Sequence, residues 1–328
     1  MVKDSGQYYY VEAVNAALRR VLEELPNTIV FGEDVGEPGG VFGATRGLRE
    51  LFGDRVFDTP ISETAILGAA VGAAMMGMRP IAEIMWIDFI LVALDQLVNQ
   101  AANIRYISQG RLTAPLTVRT QQGALPGSCA QHSQCLEAIL AHIPGLQVGL
   151  PATVQDAYDM LVAAVYSDDP TIIIESRGLY RRFREEATLA GPVQSVGGAR
   201  VRRPGSDVTL VTWGAMLYNA LEAADMLSNE GASVEVIDLR WLVPFDAETL
   251  ASSLLKTGRL VIAHEANVFG GFGTEVAAWA AENFLYALEA PIKRIGVPHC
   301  RIPAAPHLQA ALIPSASSIA QAIREALQ

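Results

Sequence analysis

Asp58-Thr59-Pro60-Ile61-Ser62-Glu63-Thr64 runs directly into Ala65-Ile66-Leu67-Gly68-Ala69-Ala70-Val71-Gly72-Ala73-Ala74-Met75-Met76, and the β-branched stretch Pro80-Ile81-Ala82-Glu83-Ile84 follows. The first run predicts a helix over 63–76 and the second a strand over 80–84. Thr59 or Ser62 can cap the helix, and Glu63 sits where the helix dipole favours a negative charge. No charge intervenes between Glu63 and Arg79, so the helix is expected to be buried on all sides. Gly68, Gly72 and Gly77 permit close approach of another backbone. A carboxylate at the mouth of such a helix would be partly desolvated, which suits a group that shares a proton with a ligand. On spacing alone a helix-start carboxylate is the better explanation of Glu63.

Outward from this stretch, short β-branched runs alternate with helix-length Ala/Leu segments. Strands are expected at 28–31, 80–84, 116–120, 147–150 and 171–175, with helices at 63–76, 89–107, 133–142 and 154–167. The scheme repeats with strands at 208–212, 233–239, 260–263 and 292–295 and helices at 217–228, 246–255 and 274–286. Strands separated by helices imply an α/β fold with parallel sheets and helices on both faces. The alternation breaks between Ser176 and Ser206, a stretch rich in arginine, glycine and proline. The expected organisation is therefore a first domain over 1–185, a linker over 186–205 and a second domain over 206–328.

Hydrophobic residues make up 51% of the chain and charged residues 18%, a balance that suits large cores or a large subunit interface. A net charge of −11 gives no electrostatic reason to bind nucleic acid or an anionic membrane. Three cysteines without a CxxC point to a reducing, cytoplasmic setting. No secretory signal is visible at the start, and the longest uncharged apolar run is too short to span a bilayer.

The dinucleotide fingerprint, the P-loop, the GxSxG elbow and HExxH are all missing, and the five histidines lack metal-ligand spacing. Three constellations remain. The first is the Glu63 stretch. The second is Glu83-Ile84-Met85-Trp86-Ile87-Asp88-Phe89, at a strand's carboxyl end, where open α/β sheets bind ligands. The third is Gln131-His132-Ser133-Gln134, after the loop 121–129, where His132 can move protons near neutral pH. Ordinary core aromatics and a helix start account for the last two without any function.

Taken in order, these segments resemble one family: the beta subunits of the thiamine-diphosphate-dependent 2-oxo acid dehydrogenases, which act on pyruvate, branched-chain 2-oxo acids or acetoin. Further landmarks are Gly32-Glu33-Asp34-Val35, Arg79-Pro80-Ile81, Asn99-Gln100-Ala101-Ala102, His142-Ile143-Pro144-Gly145-Leu146, Asp168-Asp169-Pro170, Val236-Ile237-Asp238-Leu239-Arg240 and His264-Glu265-Ala266. The resemblance runs from about Tyr10 to Pro314. It implies a transketolase-type pyrimidine-binding domain followed by a transketolase C-terminal-type domain.

By that resemblance Glu63 would hydrogen-bond the N1′ atom of the thiamine diphosphate aminopyrimidine and favour its imino tautomer. Phe89 would stack on the ring, with Ile61 and Gln96 nearby, and His132 would assist acyl transfer to a lipoyl group. A structural potassium ion would rest on backbone carbonyls of Leu116, Ala164, Val165, Ser167 and Asp169. The family's Gly-Asp-Gly motif and downstream Asn-Asn, which hold diphosphate and magnesium, are absent: Gly53-Asp54 is followed by Arg55. The resemblance thus implies an alpha subunit that supplies the Mg2+ and diphosphate half of the site in an α2β2 assembly, with a lipoylated dihydrolipoyl acyltransferase as the next partner. An acetoin dehydrogenase subunit, half of a split transketolase or carboligase, and a non-catalytic scaffolding subunit stand as alternatives. The loop 121–129 is less glycine-rich than in relatives, and so is expected to affect substrate choice.

Overall fold

Arg119 is fully buried in the middle of a parallel sheet, and the first half of the chain is arranged around it. The computed structural model describes residues 5–328. These divide into two units: one comprises the residues up to Gln122 with Ile139–Val196, the other Gly123–Ala138 with Gly197–Gln328.

In chain order the first unit opens with β1 (Ser5–Tyr9), α1 (Tyr10–Glu24), β2 (Thr28–Gly32), α2 (Leu48–Phe52), β3 (Val56–Asp58), α3 (Glu63–Met75) and β4 (Arg79–Ile84). Then come the short helices α4 (Ile87–Ile90) and α5 (Ile104–Ile107), followed by β5 (Thr117–Gln122). After α6 (Glu137–Ala141) it continues with β6 (Gln147–Gly149), α7 (Val154–Tyr166), β7 (Thr171–Ser176) and β8 (Arg184–Thr188). Six strands pair in parallel in the order β6-β7-β5-β4-β2-β3, while β1 and β8 form a separate antiparallel pair. Every residue of β5 and β7 is buried, as expected of central parallel strands covered on both faces. Val14, Leu18, Val21 and Leu22 recur at helical spacing on α1 and bury a stripe; this helix packs against α7.

The second unit contains β9 (Arg200–Arg203), β10 (Val208–Thr212), α8 (Met216–Ser228), β11 (Val234–Asp238), β12 (Trp241–Val243), α9 (Ala247–Thr257) and β13 (Leu260–Asn267). It ends with α10 (Gly273–Phe284), β14 (Lys293–Val297), α11 (Pro306–Leu312) and α12 (Ala316–Leu327). Its sheet runs β14-β13-β10-β11-β9, parallel except for the antiparallel edge strand β9. Asp246 caps α9 by accepting the Thr249 N–H at 3.0 Å, and Gly258, at φ +63°, ends it in a left-handed turn.

Both domains are α/β with mostly parallel sheets, as the alternation implied. Several details differ from the sequence reading. The helices α1 and α12 were not anticipated, and the helix expected over 133–142 is shortened to α6. The expected helix over 89–107 is broken into α4, a 3-10 turn over Leu91–Ala93, a π-helical turn over Gln96–Ala101 and α5. Helix α3 is not buried on all sides: Ala65, Ala69 and Gly72 are exposed, and Met76, just beyond it, is 84% exposed. The absence of charge was read as burial, but in this chain it marks an apolar face. Lastly, residues 123–138 group with the second unit, although the sequence boundary placed them in the first domain.

The Arg119 guanidinium forks onto Glu175 through Nε (2.8 Å) and Nη2 (2.9 Å) and reaches Glu83 through Nη1 (2.5 Å). Tyr180 donates its hydroxyl to Glu175. Burial works against the arginine's charge, yet the two carboxylates outweigh it and raise its proton affinity well above the usual range. Burial raises Glu83, with Arg119 pulling the other way. Strands β4, β5 and β7 are therefore tied together by one charged group. Arg119→Met should cost about 3–5 kcal/mol in urea unfolding, because it strands buried carboxylates.

In the second unit, burial pushes the His264 imidazole down to about 4. The unfolded chain, titrating near 6.5, therefore binds a proton that the folded chain refuses. This contribution to stability is complete above pH 6.5 and declines as pH falls toward 4, by about 3 kcal/mol in all. Unfolding free energies measured at pH 7, 5.5 and 4 should fall more steeply for the wild type than for His264→Gln.

Candidate active site

The carboxyl ends of β2, β3 and β4 gather the acidic groups of the first unit. Strand β2 ends at Gly32, where a side chain could not fit: a Cβ there would lie 2.5 Å from the Glu83 carbonyl of β4. The next residue is Glu33, followed by Asp34 at φ +55°, a left-handed conformation that turns the chain away from the sheet. Strand β3 ends at Asp58, whose carboxylate accepts the N–H groups of Gly36 (2.6 Å) and Glu37 (3.1 Å). The Thr59 N–H donates to the Gly32 carbonyl at 3.0 Å. The two strand ends are thus sewn together immediately before Glu63.

Glu63 is the first residue of α3 and is half-buried. Ser62 occupies the cap position without making a side-chain cap, contrary to the sequence reading, so neither it nor Thr59 serves as the anticipated cap. Among the described residues the Glu63 carboxylate has no hydrogen-bond or ion-pair partner. Its electrostatic neighbour is Glu33. Burial first, then the charges of Glu63 and Asp34, raise the proton affinity of the Glu33 carboxyl above the usual range. Two half-buried carboxylates at a helix mouth, one with its proton affinity raised by the other, form an arrangement that can exchange a proton with a bound base. Glu33 was not singled out as a site residue. The available signal was its place in Gly32-Glu33-Asp34-Val35, an acidic pair right after a strand.

The neighbouring segment comes in from β4. Thr64 donates its hydroxyl to the Val92 carbonyl at 2.9 Å, tying the start of α3 to the turn after Phe89. Phe89 lies in α4 and is half-buried. Gln96 is half-buried, donates to Asp95 at 3.2 Å, and packs over Gly68: its Oε1 lies 3.6 Å from where a Gly68 Cβ would stand. Ile61 is 83% exposed. Trp86, at the carboxyl end of β4, carries the Arg177 guanidinium 3.4 Å from its ring centroid and meets Phe42 edge-on. Glu63, Phe89, Gln96 and Ile61 are thus borne by two segments that Thr64 joins. His132 belongs to the other unit, on an irregular loop before α6, and is half-exposed.

Of the five carbonyls named for potassium, four fall in two pairs and Ala164 stands apart. Arg79 Nη1 donates to Val165 (2.9 Å) and Ser167 (2.8 Å), and its Nη2 pairs with Asp168 at 2.6 Å. Leu116 accepts the Thr171 N–H (2.9 Å) and Asp169 the Thr171 hydroxyl (3.0 Å). The Ala164 carbonyl accepts the Ser167 N–H at 3.2 Å. Two of the five oxygens, those of Val165 and Ser167, therefore already face a guanidinium charge. Among the described residues no group of three His, Cys, Asp or Glu side chains could hold a metal. Nor is any helix among them long and apolar enough to cross a membrane.

Residues 7–182 match the family "Transketolase, pyrimidine binding domain" and residues 197–319 match "Transketolase, C-terminal domain". The chain is 42% identical to the acetoin:2,6-dichlorophenolindophenol oxidoreductase subunit beta of Cupriavidus necator, with 96% of each chain covered. It is 41% identical to the 2-oxoisovalerate dehydrogenase subunit beta of Bacillus subtilis, covering 96% of this chain and 97% of the relative. It is 44% identical to the pyruvate dehydrogenase E1 component subunit beta of Staphylococcus epidermidis, covering 88% and 90%. Among solved structures, a split-gene transketolase described as an inactive beta4 tetramer superposes with a TM-score of 0.78 at 26% identity, covering 98% of this chain and 99% of that one.

Asp58→Ala should cost about 1–2 kcal/mol, since two N–H groups lose a charged acceptor. Hydrogen exchange at Gly36 and Glu37 should accelerate while β5 and β7 stay protected.

Proposed function

Because the chain belongs to the beta-subunit family of the thiamine-diphosphate-dependent 2-oxo acid dehydrogenases, we propose that it carries the cofactor-activating half of an oxidative decarboxylase for a small 2-oxo acid, pyruvate or a branched-chain one, with the acyl group passed to a lipoylated dihydrolipoyl acyltransferase. The observation that carries this reading is the half-buried Glu63 carboxylate, left without a partner at the carboxyl edge of the parallel sheet. A carboxylate taken partly out of water needs a donor, and a protonated pyrimidine nitrogen is one.

The residues fit thiamine diphosphate on the pyrimidine side. Glu63 would hold N1′, Phe89 would offer a ring for stacking, and Ile61 and Gln96 would border the pocket. When bound, the cofactor supplies an acidic thiazolium carbon that adds to the 2-oxo group and takes up the electrons left by departing CO2. This chain contributes the Glu63 carboxylate as the acceptor that N1′ would meet. Glu33 stands beside it, its proton affinity raised by burial and by the charge of Glu63.

The diphosphate and its Mg2+ fall to a partner, because the chain lacks the motif that holds them. That partner is an alpha subunit, since the relatives are themselves beta subunits. The apolar face of α3 supports this: exposed Ala65, Ala69 and Gly72, with Ile61, Met76 and Val92, offer a surface that another subunit can cover. The carbonyls of Leu116, Ala164, Val165, Ser167 and Asp169 would take the potassium ion.

A second reading, acetoin cleavage, draws on the 42% identity to the acetoin oxidoreductase subunit. A panel of pyruvate, 2-oxoisovalerate and acetoin on the complex co-purified with its alpha subunit separates the two. In that complex Glu63→Gln should assemble normally and lose about 100-fold or more in turnover. Turnover close to that of the wild type would overturn the role given to Glu63.

A further inference from the structure

The loop that bears His132 is held by the second unit at both ends, and β13 supplies or braces the anchor at each. At its start, the Glu265 carboxylate accepts the Ala124 N–H at 2.9 Å. Gly123 beside it stands at φ +99°, and a Cβ there would lie 3.1 Å from Glu265 Oε1, so the backbone passes directly over the carboxylate. At its end, the Trp213 indole N–H donates to buried Glu137 at 3.2 Å, and His264 of β13 stacks on that indole with centroids 5.0 Å apart.

Further ties lie between these ends. Gln309 donates to the Leu125 carbonyl (2.9 Å), the Gly127 N–H donates to Ala304 (3.1 Å), and Arg301 donates to Gln134 (2.8 Å). Ser128 and Ser133 share a hydrogen bond of 2.6 Å that closes the loop around residues 129–132. These ties hold in place a segment that, from Gly123 to Leu136, has no helix or strand of its own.

We propose that Glu265 is a positioning residue for His132: by holding Ala124 it fixes the loop in the shape from which His132 serves acyl transfer to the lipoyl acceptor, and it takes no part in decarboxylation. This rests on the reading of His132 given above. The carboxylate needs only an acceptor oxygen to act in this way, so a glutamine should replace it and an alanine should not. Small displacements of a group that handles protons are costly, because its reach to the acceptor sets the rate.

The test uses the complex with its alpha subunit and the 2-oxo acid it turns over fastest. Decarboxylation is read with 2,6-dichlorophenolindophenol as electron acceptor, and acyl transfer is read with an isolated lipoyl domain. For Glu265→Ala, transfer should fall about tenfold or more while dye-linked decarboxylation stays within about twofold, and Glu265→Gln should restore most of the transfer. Arg301→Met, an exposed change that releases the loop near His132, should shift the same ratio in the same direction. Hydrogen exchange over 123–138 should accelerate in Glu265→Ala and not in Glu265→Gln. Equal loss of both activities, no rescue by glutamine, or unchanged exchange in the loop would each overturn the proposal. If His132→Asn keeps full transfer, the reading of His132 fails on its own; the exchange result still decides whether Glu265 holds the loop.

Discussion

One buried guanidinium sets the frame of the first unit. Arg119 joins Glu83 on β4 to Glu175 on β7 from the strand between them. Such a group is tolerated inside a sheet only if every strand around it keeps its register. Register fixes where the strands end. Because β4 ends where it does, the Glu83 carbonyl meets the side of Gly32 that lacks a side chain, and β2 can stop beside it. Glu33, Asp58 and then Glu63 follow from that edge. The acidic mouth of α3 is a consequence of strand alignment several residues away.

The two α/β domains were legible because hydrophobic periodicity and β-branched runs act locally. The breaks after Ile87 were not. Leu91, Val92, Leu94 and Leu97 keep a helical spacing, so the sequence reads as one helix; the π-helical turn over Gln96–Ala101 shows only in backbone hydrogen bonding. The exposed face of α3 was misread for a related reason. An uncharged helix looks the same whether its own fold or another subunit covers it. The loop 123–138 belongs by order to the first domain and by contacts to the second. No local pattern reveals that, since its anchors lie far along the chain, at Glu265, Arg301 and Gln309.

Site residues divide along the same line. Glu63 and Phe89 were singled out because ordered landmarks surround them. Glu33 was passed over as an ordinary acidic turn, although its proton affinity is raised by burial and by Glu63. What distinguishes the two carboxylates is their proximity, which depends on β2 and β3 being neighbours in the sheet. Arg79, likewise, reads as a strand-start arginine, and only the fold brings it to the Val165 and Ser167 carbonyls.

The central claim is that Glu63 holds a pyrimidine ring nitrogen. Calorimetry on the complex with its alpha subunit tests it without turnover, by comparing thiamine diphosphate with an analogue in which N1′ is replaced by carbon. The account predicts that the wild type binds the analogue about tenfold or more weakly, the loss of one charge-assisted hydrogen bond, and that Glu63→Ala binds both equally. Equal discrimination in the two proteins would contradict it.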